Sequence, residues 1–291
     1  MWEQLVVVDE RYLFEEALHR LKIDPLNVID EEHARIHIPI YHTYEVVSVQ
    51  CTRVSRGVHM LIKGKDSTTK EAVLLEIKRI LGIDQTFDQL ENHFSTTPLE
   101  SLFQRHNGTP IILEWSLFSC LLKSIIHQQL NTKFAATLTT RFVQKYGEKI
   151  DGVWFYPTPE NVALIPVEEL RTLSFSQRKA EYIIDIAKAV LEKKITLDLS
   201  YLHTLENQEV EKQLTRIRGI GPWTAQSFLM FGLGRKDLFP VGDIGLQNAL
   251  KHIYGFENKP SKEWMEKESQ SWSPYRSYVA LYLWRSLERK E

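Results

Sequence analysis

Cysteine is nearly missing from this chain: 291 residues contain only Cys51 and Cys120. That excludes a disulfide framework and a four-cysteine zinc or iron–sulfur site. It fits a reducing, cytoplasmic setting. A basic surplus is missing too. Lys and Arg number 36 against 38 Asp and Glu, for a formal charge of −2 and a pI near 6.6. The globally basic surface usual in nucleic-acid binders is therefore excluded. Any nucleic-acid site must be local, built from backbone amides and a few cations. The opening MWEQLVVVDERYLFEEAL carries acids within its first ten residues and no cleavage-type segment, which excludes a signal peptide. No apolar run approaches the roughly 18–20 residues that span a bilayer. There is no repeat array and no low-complexity tract.

What is present is ordinary globular material. Hydrophobic residues make up 43% and charged residues 25%, enough for the core of one large or two medium domains. The first hundred residues are mixed. Tyr12 to Leu21 reads as a short amphipathic helix. Ala34, Ile36, Ile38 and Ile40 fall at every second position, as on one face of a strand. Glu45 to Val54 and Val58 to Lys63 are β-branched-rich runs joined by Ser55-Arg56-Gly57, a hairpin signal. Lys70 to Leu81 turns helical, with Val73, Ile77, Ile80 and Leu81 on one face. A small antiparallel sheet backed by helices fits this pattern.

From about residue 112 the period is helical. Leu117, Leu121 and Ile125, with Phe118, Leu122 and Ile126, form a wide apolar stripe. Helical patterns continue over Thr132 to Tyr146, Pro159 to Ile165, Val167 to Leu173, Gln177 to Glu192 and Glu206 to Arg216. Thr224 to Phe231, Gly245 to Tyr254, Trp264 to Ser269 and Tyr275 to Glu288 follow. Gly82 to Pro110 is polar and mixed and places the boundary. The expected class is α+β: an α/β N-terminal domain over 1–104, then an all-α domain over 105–291.

The most informative stretch is Leu214 to Ala225, LTRIRGIGPWTA, with Asp243 behind it in FPVGDIGLQNAL. A helix ends in Gly219-Ile220-Gly221 and a new one starts behind Pro222. Two glycines one residue apart let a turn take positive φ and approach a bound surface. Pro222 suits a first helical turn. Free amides beside a bare glycine turn make an anion site. Alternatively the segment is a plain glycine C-cap followed by a proline-started helix. Under the first reading the amides around Gly219 and Gly221 grip phosphate without reading sequence. The carbonyls of Thr215, Ile217 and Gly219 could then wrap a monovalent cation, Na⁺ or K⁺, facing the same phosphate.

Other residues carry paired readings. Asp243 is an N-cap for the helix from Ile244, or an ionised carboxylate that stabilises a cation or activates a nucleophile. Trp223 is core or one wall of a pocket. Trp272 and Tyr275, in WSPYRSY, with Phe14 and Phe239, are candidates to complete an aromatic pocket, or are structural. Arg276 is a phosphate ligand or the partner of an acid. The helix end Ile125-Ile126-His127-Gln128-Gln129-Leu130-Asn131 is a polar terminus with His127 hydrogen-bonded, or a loop pushed into DNA with Gln129 filling the gap left by a flipped base.

Together these residues resemble the helix-hairpin-helix DNA glycosylase superfamily, and within it the AlkA-type 3-methyladenine DNA glycosylases. The resemblance covers most of the chain: the α/β N-terminal domain, HQQLNTKFAATL, YPTPENVALIP, LSFSQRKAEYIIDIA, the hairpin with its aspartate, and PYRSYVALYLW. It implies that Asp243 is the catalytic aspartate. Trp223 stands where bifunctional members carry a Schiff-base lysine, so no lyase activity is expected. No iron–sulfur cluster and no required cofactor are implied. The implied function is monofunctional hydrolytic excision of alkylated purines, of the 3-methyladenine and 7-methylguanine type, in base excision repair. The partner is double-stranded DNA with damaged bases, with no membrane, and the protein is expected to act as a monomer. The base pocket would be Trp223, Trp272, Tyr275 and Phe14. DNA contacts would come from Gly219, Gly221, Trp223, Thr224, Gln128, Gln129 and Arg276. Two departures stand out. Gln129 replaces an apolar wedge, and Ile244, Gly245 and Ser227 replace bulkier or aromatic pocket residues. They leave open a glycosylase for oxidised or deaminated bases. A non-catalytic DNA-binding module is the alternative from another class.

Overall fold

A computed structural model describes residues 1–55 and 57–288. Arg56, in the expected Ser55-Arg56-Gly57 turn, lies outside the described residues, as do residues 289–291 of the expected second domain. The class is α+β. Five strands form an antiparallel sheet: β1 (Trp2–Val8), β2 (Val28–Asp30), β3 (Arg35–Ile40), β4 (Glu45–Val54) and β5 (Gly57–Gly64). Their order is β1-β5-β4-β3-β2. In register, Val49 of β4 opposes Ile62 of β5 and Ile38 of β3 opposes Val47 of β4. Ile36, Ile38, Val47, Val49, Met60 and Ile62 are fully or almost fully buried, so the expected inward face is real. Ala34 is not part of it. Its φ of 47° turns the chain before β3 begins.

β1 shows why one strand escaped the period-2 pattern. Its inward positions include Trp2 and Val8, but its outward positions include exposed Leu5 and Val7. Apolar residues on both faces erase the alternation. The paired strands Glu148–Ile150 and Val153–Phe155 also went unread. Their turn, Asp151-Gly152, has φ of 48° and 85°, the positive values a two-residue hairpin needs.

The polar segment Gly82 to Pro110 is not a linker. It folds into helices Asp88–Phe94 and Glu100–His106. Phe94 stacks on Phe103 at 3.8 Å, and Phe103 tilts against Tyr282 of the last helix, Arg276–Glu288, at 4.9 Å. One continuous core therefore joins the sheet, residues 83–115 and the chain end. The division at 104/105 falls inside it. A second core gathers the helices between Leu117 and Phe231. Phe231 and Leu238 pack against both. No helix among the described residues is long and apolar enough to cross a membrane.

Candidate active site

The hairpin is anchored from below. Val210 and Leu214, on helix Asn207–Thr215, and Ile220 in the turn are buried. Gly219 takes φ +96°, and a Cβ there would stand 2.4 Å from the Tyr182 ring. Both the conformation and the close approach demand glycine. Gly221 differs from expectation. Its φ of −94° is open to any residue, and a Cβ would meet nothing. What glycine supplies at 221 is bare space in front of the helix. That helix, Pro222–Phe231, makes its first backbone bond from Ala225 N–H to the Gly221 carbonyl at 3.0 Å. The amides of Trp223 and Thr224 thus have no partner within the helix.

Asp243 takes its capping reading and has further hydrogen bonds besides. It caps helix Ile244–Ile253, where Oδ1 accepts the Leu246 N–H at 2.9 Å. Oδ1 also accepts the indole N–H of Trp284 at 3.1 Å, and Oδ2 accepts that of Trp223 at 3.1 Å. None of these three donors carries a net charge. Gly245 makes room: a Cβ there would stand 3.0 Å from Asp243 Oδ1 and 3.4 Å from Trp284 Cδ1.

Asp243 faces a cavity of about 310 Å³ lined from both cores. Trp223, Asp243 and Trp284 line it together with Phe231, whose ring lies 6.1 Å from that of Trp284. Trp223 is 43% exposed, so it is a pocket wall and not core.

Charged groups line it as well. Lys123 Nζ lies 2.7 Å from Asp24 Oδ2 and 2.6 Å from Glu114 Oε2. Tyr156 donates to Asp24 Oδ2 at 2.6 Å and the Leu26 N–H to Oδ1 at 3.0 Å. Burial works to raise the Asp24 carboxyl, but the Lys123 charge and these hydrogen bonds bring it below its ordinary value. Burial works against the Lys123 ammonium, yet the two carboxylates hold it above its ordinary value. Burial pushes His127 down to about 4, so it is neutral at pH 7. Its Nε2 stands 3.3 Å from Thr139 Oγ1, the hydrogen-bonded state expected of it. The Arg20 guanidinium lies 4.7 Å over the Phe231 ring.

Three expected pocket residues are elsewhere. Trp272 is 1% exposed and packs edge-on against Phe239 at 4.9 Å. Phe14 is buried in the core beneath the sheet. Tyr275 donates to Gln89 Oε1 at 3.1 Å and meets His93 edge-on. The residue that does reach the pocket is Trp284, two turns along the final helix. Leu281, Trp284, Arg285 and Glu288 all line the cavity. Their spacing of i, i+3, i+4 and i+7 puts them on one helix face, but with Arg285 and Glu288 among them no apolar period marks that face.

Part of the expected DNA-contact set is also spent within the protein. Arg276 forms a two-pronged pair with Asp237, Nε–Oδ1 at 2.6 Å and Nη2–Oδ2 at 2.8 Å, so the acid-partner reading holds. Thr224 is 2% exposed, and its hydroxyl accepts from Gln128 Nε2 at 2.9 Å. The same Nε2 donates to the Gly219 carbonyl at 2.9 Å. The Gln128 side chain therefore ties the loop to the hairpin through both of its N–H donors. Gln129 is exposed and holds φ +55°, unusual for a residue with a side chain. The Ile217 carbonyl accepts from Ile220 N–H at 3.0 Å. With Gly219 also engaged, both oxygens keep one free lone pair. Among the described residues no group of three or more His, Cys, Asp or Glu is placed to hold a metal ion.

Comparison with known proteins agrees with this geometry. Residues 122–274 match the family described as HhH-GPD superfamily base excision DNA repair protein. A Bacillus subtilis protein named "Putative DNA-3-methyladenine glycosylase YfjP" is 45% identical over 291 residues, covering 99% of this chain and 100% of that one. A second B. subtilis protein, named DNA-3-methyladenine glycosylase, is 34% identical over 175 residues, 59% of this chain and 57% of its own length. The solved structure titled 3-methyladenine DNA-glycosylase from Archaeoglobus fulgidus superposes with a TM-score of 0.84 over 99% of both chains, at 24% identity, and shares the fold. The chain belongs to the HhH-GPD superfamily of base excision DNA repair proteins.

Proposed function

We propose that the protein is a monofunctional DNA glycosylase that flips alkylated purines out of duplex DNA and hydrolyses their N-glycosidic bond. One observation carries this reading. A carboxylate, Asp243, is held by two indole N–H groups and a backbone N–H at the wall of a base-sized or larger cavity, a short way along the chain from the Gly219–Gly221 turn. The relatives named DNA-3-methyladenine glycosylase support the substrate class.

The chemistry follows from that placement. An N3- or N7-alkylated purine carries positive charge and stacks against Trp223 and Trp284 with a cation–π attraction of about 0.5–2 kcal/mol. When the C1′–N bond breaks, its electron pair neutralises the base, so no general acid is needed. This is why one carboxylate suffices where ordinary sugar hydrolysis uses two. Asp243 stabilises the sugar cation, water adds its oxygen to C1′, and a proton leaves. With three lone pairs of its carboxylate taken, Asp243 is better fitted to stabilise charge than to strip a proton. Among the described residues no unpaired lysine lines the cavity. Trp223 stands at the hairpin position, and Lys123, which lines the cavity, is kept protonated between Asp24 and Glu114.

Extrusion costs a few kcal/mol, least for damaged pairs. Amides at the start of the Pro222 helix grip the phosphate, and Gln129 fills the vacated stack. The free lone pairs on Ile217 and Gly219, with the Thr215 carbonyl, suit a Na⁺ or K⁺ facing the same phosphate. The protein works as a monomer on cytoplasmic DNA, a setting that its two free cysteines suit.

The test is incubation with duplex DNA holding 3-methyladenine, 7-methylguanine, hypoxanthine or 8-oxoguanine. Free methylated purine should appear, leaving an abasic strand that breaks only on later alkali treatment. Release of the neutral bases alone would move the assignment to oxidised or deaminated lesions. Binding without any release would leave a DNA-binding module.

A further inference from the structure

The turn that presents Gln129 is held from two sides. Helix Leu117–His127 ends at Gln128, whose ψ of 127° leaves the helix. The last carbonyls of a helix have no partner within it, and its C-terminal end carries partial negative charge. Lys179, in the first turn of helix Gln177–Leu191, reaches across to this end. Its ammonium donates to the carbonyls of Ile125 at 2.8 Å, Ile126 at 2.9 Å and Gln128 at 2.6 Å. Three donors meet three acceptors, so no N–H of Lys179 remains for a phosphate.

The Gln128 carbonyl belongs to the peptide that leads into Gln129. Pinning it fixes the plane from which Gln129 takes its φ of +55°. On the other side, the Gln128 amide group is bound to the Gly219 carbonyl and to Thr224 Oγ1. The main chain of the turn is thus tied to one helix and its side chain to the hairpin. We propose that Lys179 is a positioning residue that holds the Gln129 turn at a set distance from the phosphate-gripping hairpin, so that extrusion of a base is coupled to filling of the duplex. The proposal rests on the base-excision reading above, with Gln129 as the plug. It makes Lys179 necessary only where there is a stack to fill. A single-stranded substrate has no partner strand and needs no plug.

That difference is the experiment. Release of 7-methylguanine is measured from duplex and from single-stranded oligonucleotides for wild type, Lys179→Met, Gln129→Ala and the double variant. Lys179→Met should lower kcat/KM on duplex DNA by about ten- to a hundredfold, the cost of misplacing a group by about 1 Å. On single-stranded DNA it should stay within about twofold of wild type. In the double variant, Lys179→Met should add nothing to Gln129→Ala on duplex DNA, because both remove one function. The dependence of binding on salt should keep its slope, whereas loss of a phosphate contact would lower it by nearly one unit.

Equal losses on both substrates, multiplicative losses in the double variant, or a reduced salt slope would each overturn the role given to Lys179. If Lys179→Met does not fold, Lys179→Gln, which keeps two donors, carries the same comparison. A wild-type protein that releases nothing from either substrate would overturn the base-excision reading and this inference with it. A wild type active on both substrates keeps the two questions separate.

Discussion

Two aspartates line one cavity under opposite electrostatic regimes. Asp24 is buried and meets a full positive charge, Lys123, together with the Tyr156 hydroxyl and the Leu26 N–H. Its charge is cancelled within the protein. Asp243 meets two indoles and one backbone amide, none of which carries net charge. Its hydrogen-bond partners orient it and bring no positive charge, the environment that the proposed stabilisation of a sugar cation calls for. Burial alone does not mark a reactive acid, and an acid with hydrogen bonds on both oxygens is not thereby idle. What separates the two is whether their donors are charged.

The comparison breaks most forcibly at Lys123. Lys123→Met leaves Asp24 buried beside no cation and Glu114 with only Arg20 at 3.5 Å, and should cost about 3–5 kcal/mol of stability. Urea unfolding measures this, and a loss below about 1 kcal/mol would mean water already solvates the pair. Asp243→Asn is the opposite case. Removing a charge held by neutral donors should cut base release about 10²–10³-fold, while stability changes little and damaged DNA still binds. Activity within a few-fold of wild type would remove Asp243 from the chemistry.

Trp284→Phe sharpens the claim that neutral donors matter. It keeps a ring in the cavity but deletes the N–H on Asp243, worth about 0.5–1.5 kcal/mol, or about two- to tenfold in kcat. The same loss in Trp284→Ala and Trp284→Phe assigns the effect to the N–H, whereas loss only in the alanine variant assigns it to the ring. The smallest effect is in acid. Because the Asp24 carboxyl is held below its ordinary value, its contribution is full above the unfolded value of about 3.9 and fades as pH falls through the lower folded value. Asp24→Asn should therefore flatten the acid limb of a melting-temperature profile below about pH 4. It should leave the slope between pH 5 and 7 unchanged.

Much of this was legible in the residues. Gly219 was readable because a turn that needs φ +96° against the Tyr182 ring admits little else. Lys70–Leu81 and Thr132–Tyr146 were readable to the residue, since their apolar spacing runs unbroken from start to end. Asp243 was readable as a helix cap a short way behind the hairpin, and the resemblance added its expected catalytic role. The pocket aromatics were less legible. Trp272, Tyr275 and Trp284 are all aromatics near the chain end, and local pattern does not say which turns toward Asp243. Trp272 lies before the last helix and drops into the core, while Trp284 lies on the face of that helix that lines the cavity.

Local spacing by itself determined most of the helices, the central strands, the glycine turn and the cap, because each depends on neighbours a few residues away along the chain. The charge environments of Asp24 and Asp243 were decided only by tertiary structure. Lys123 is 99 positions beyond Asp24 (123 − 24), and Trp284 is 41 beyond Asp243. Hydrogen bonds and ion pairs act over a few ångströms in space, so only the packing of the two cores decides which donors reach which acid.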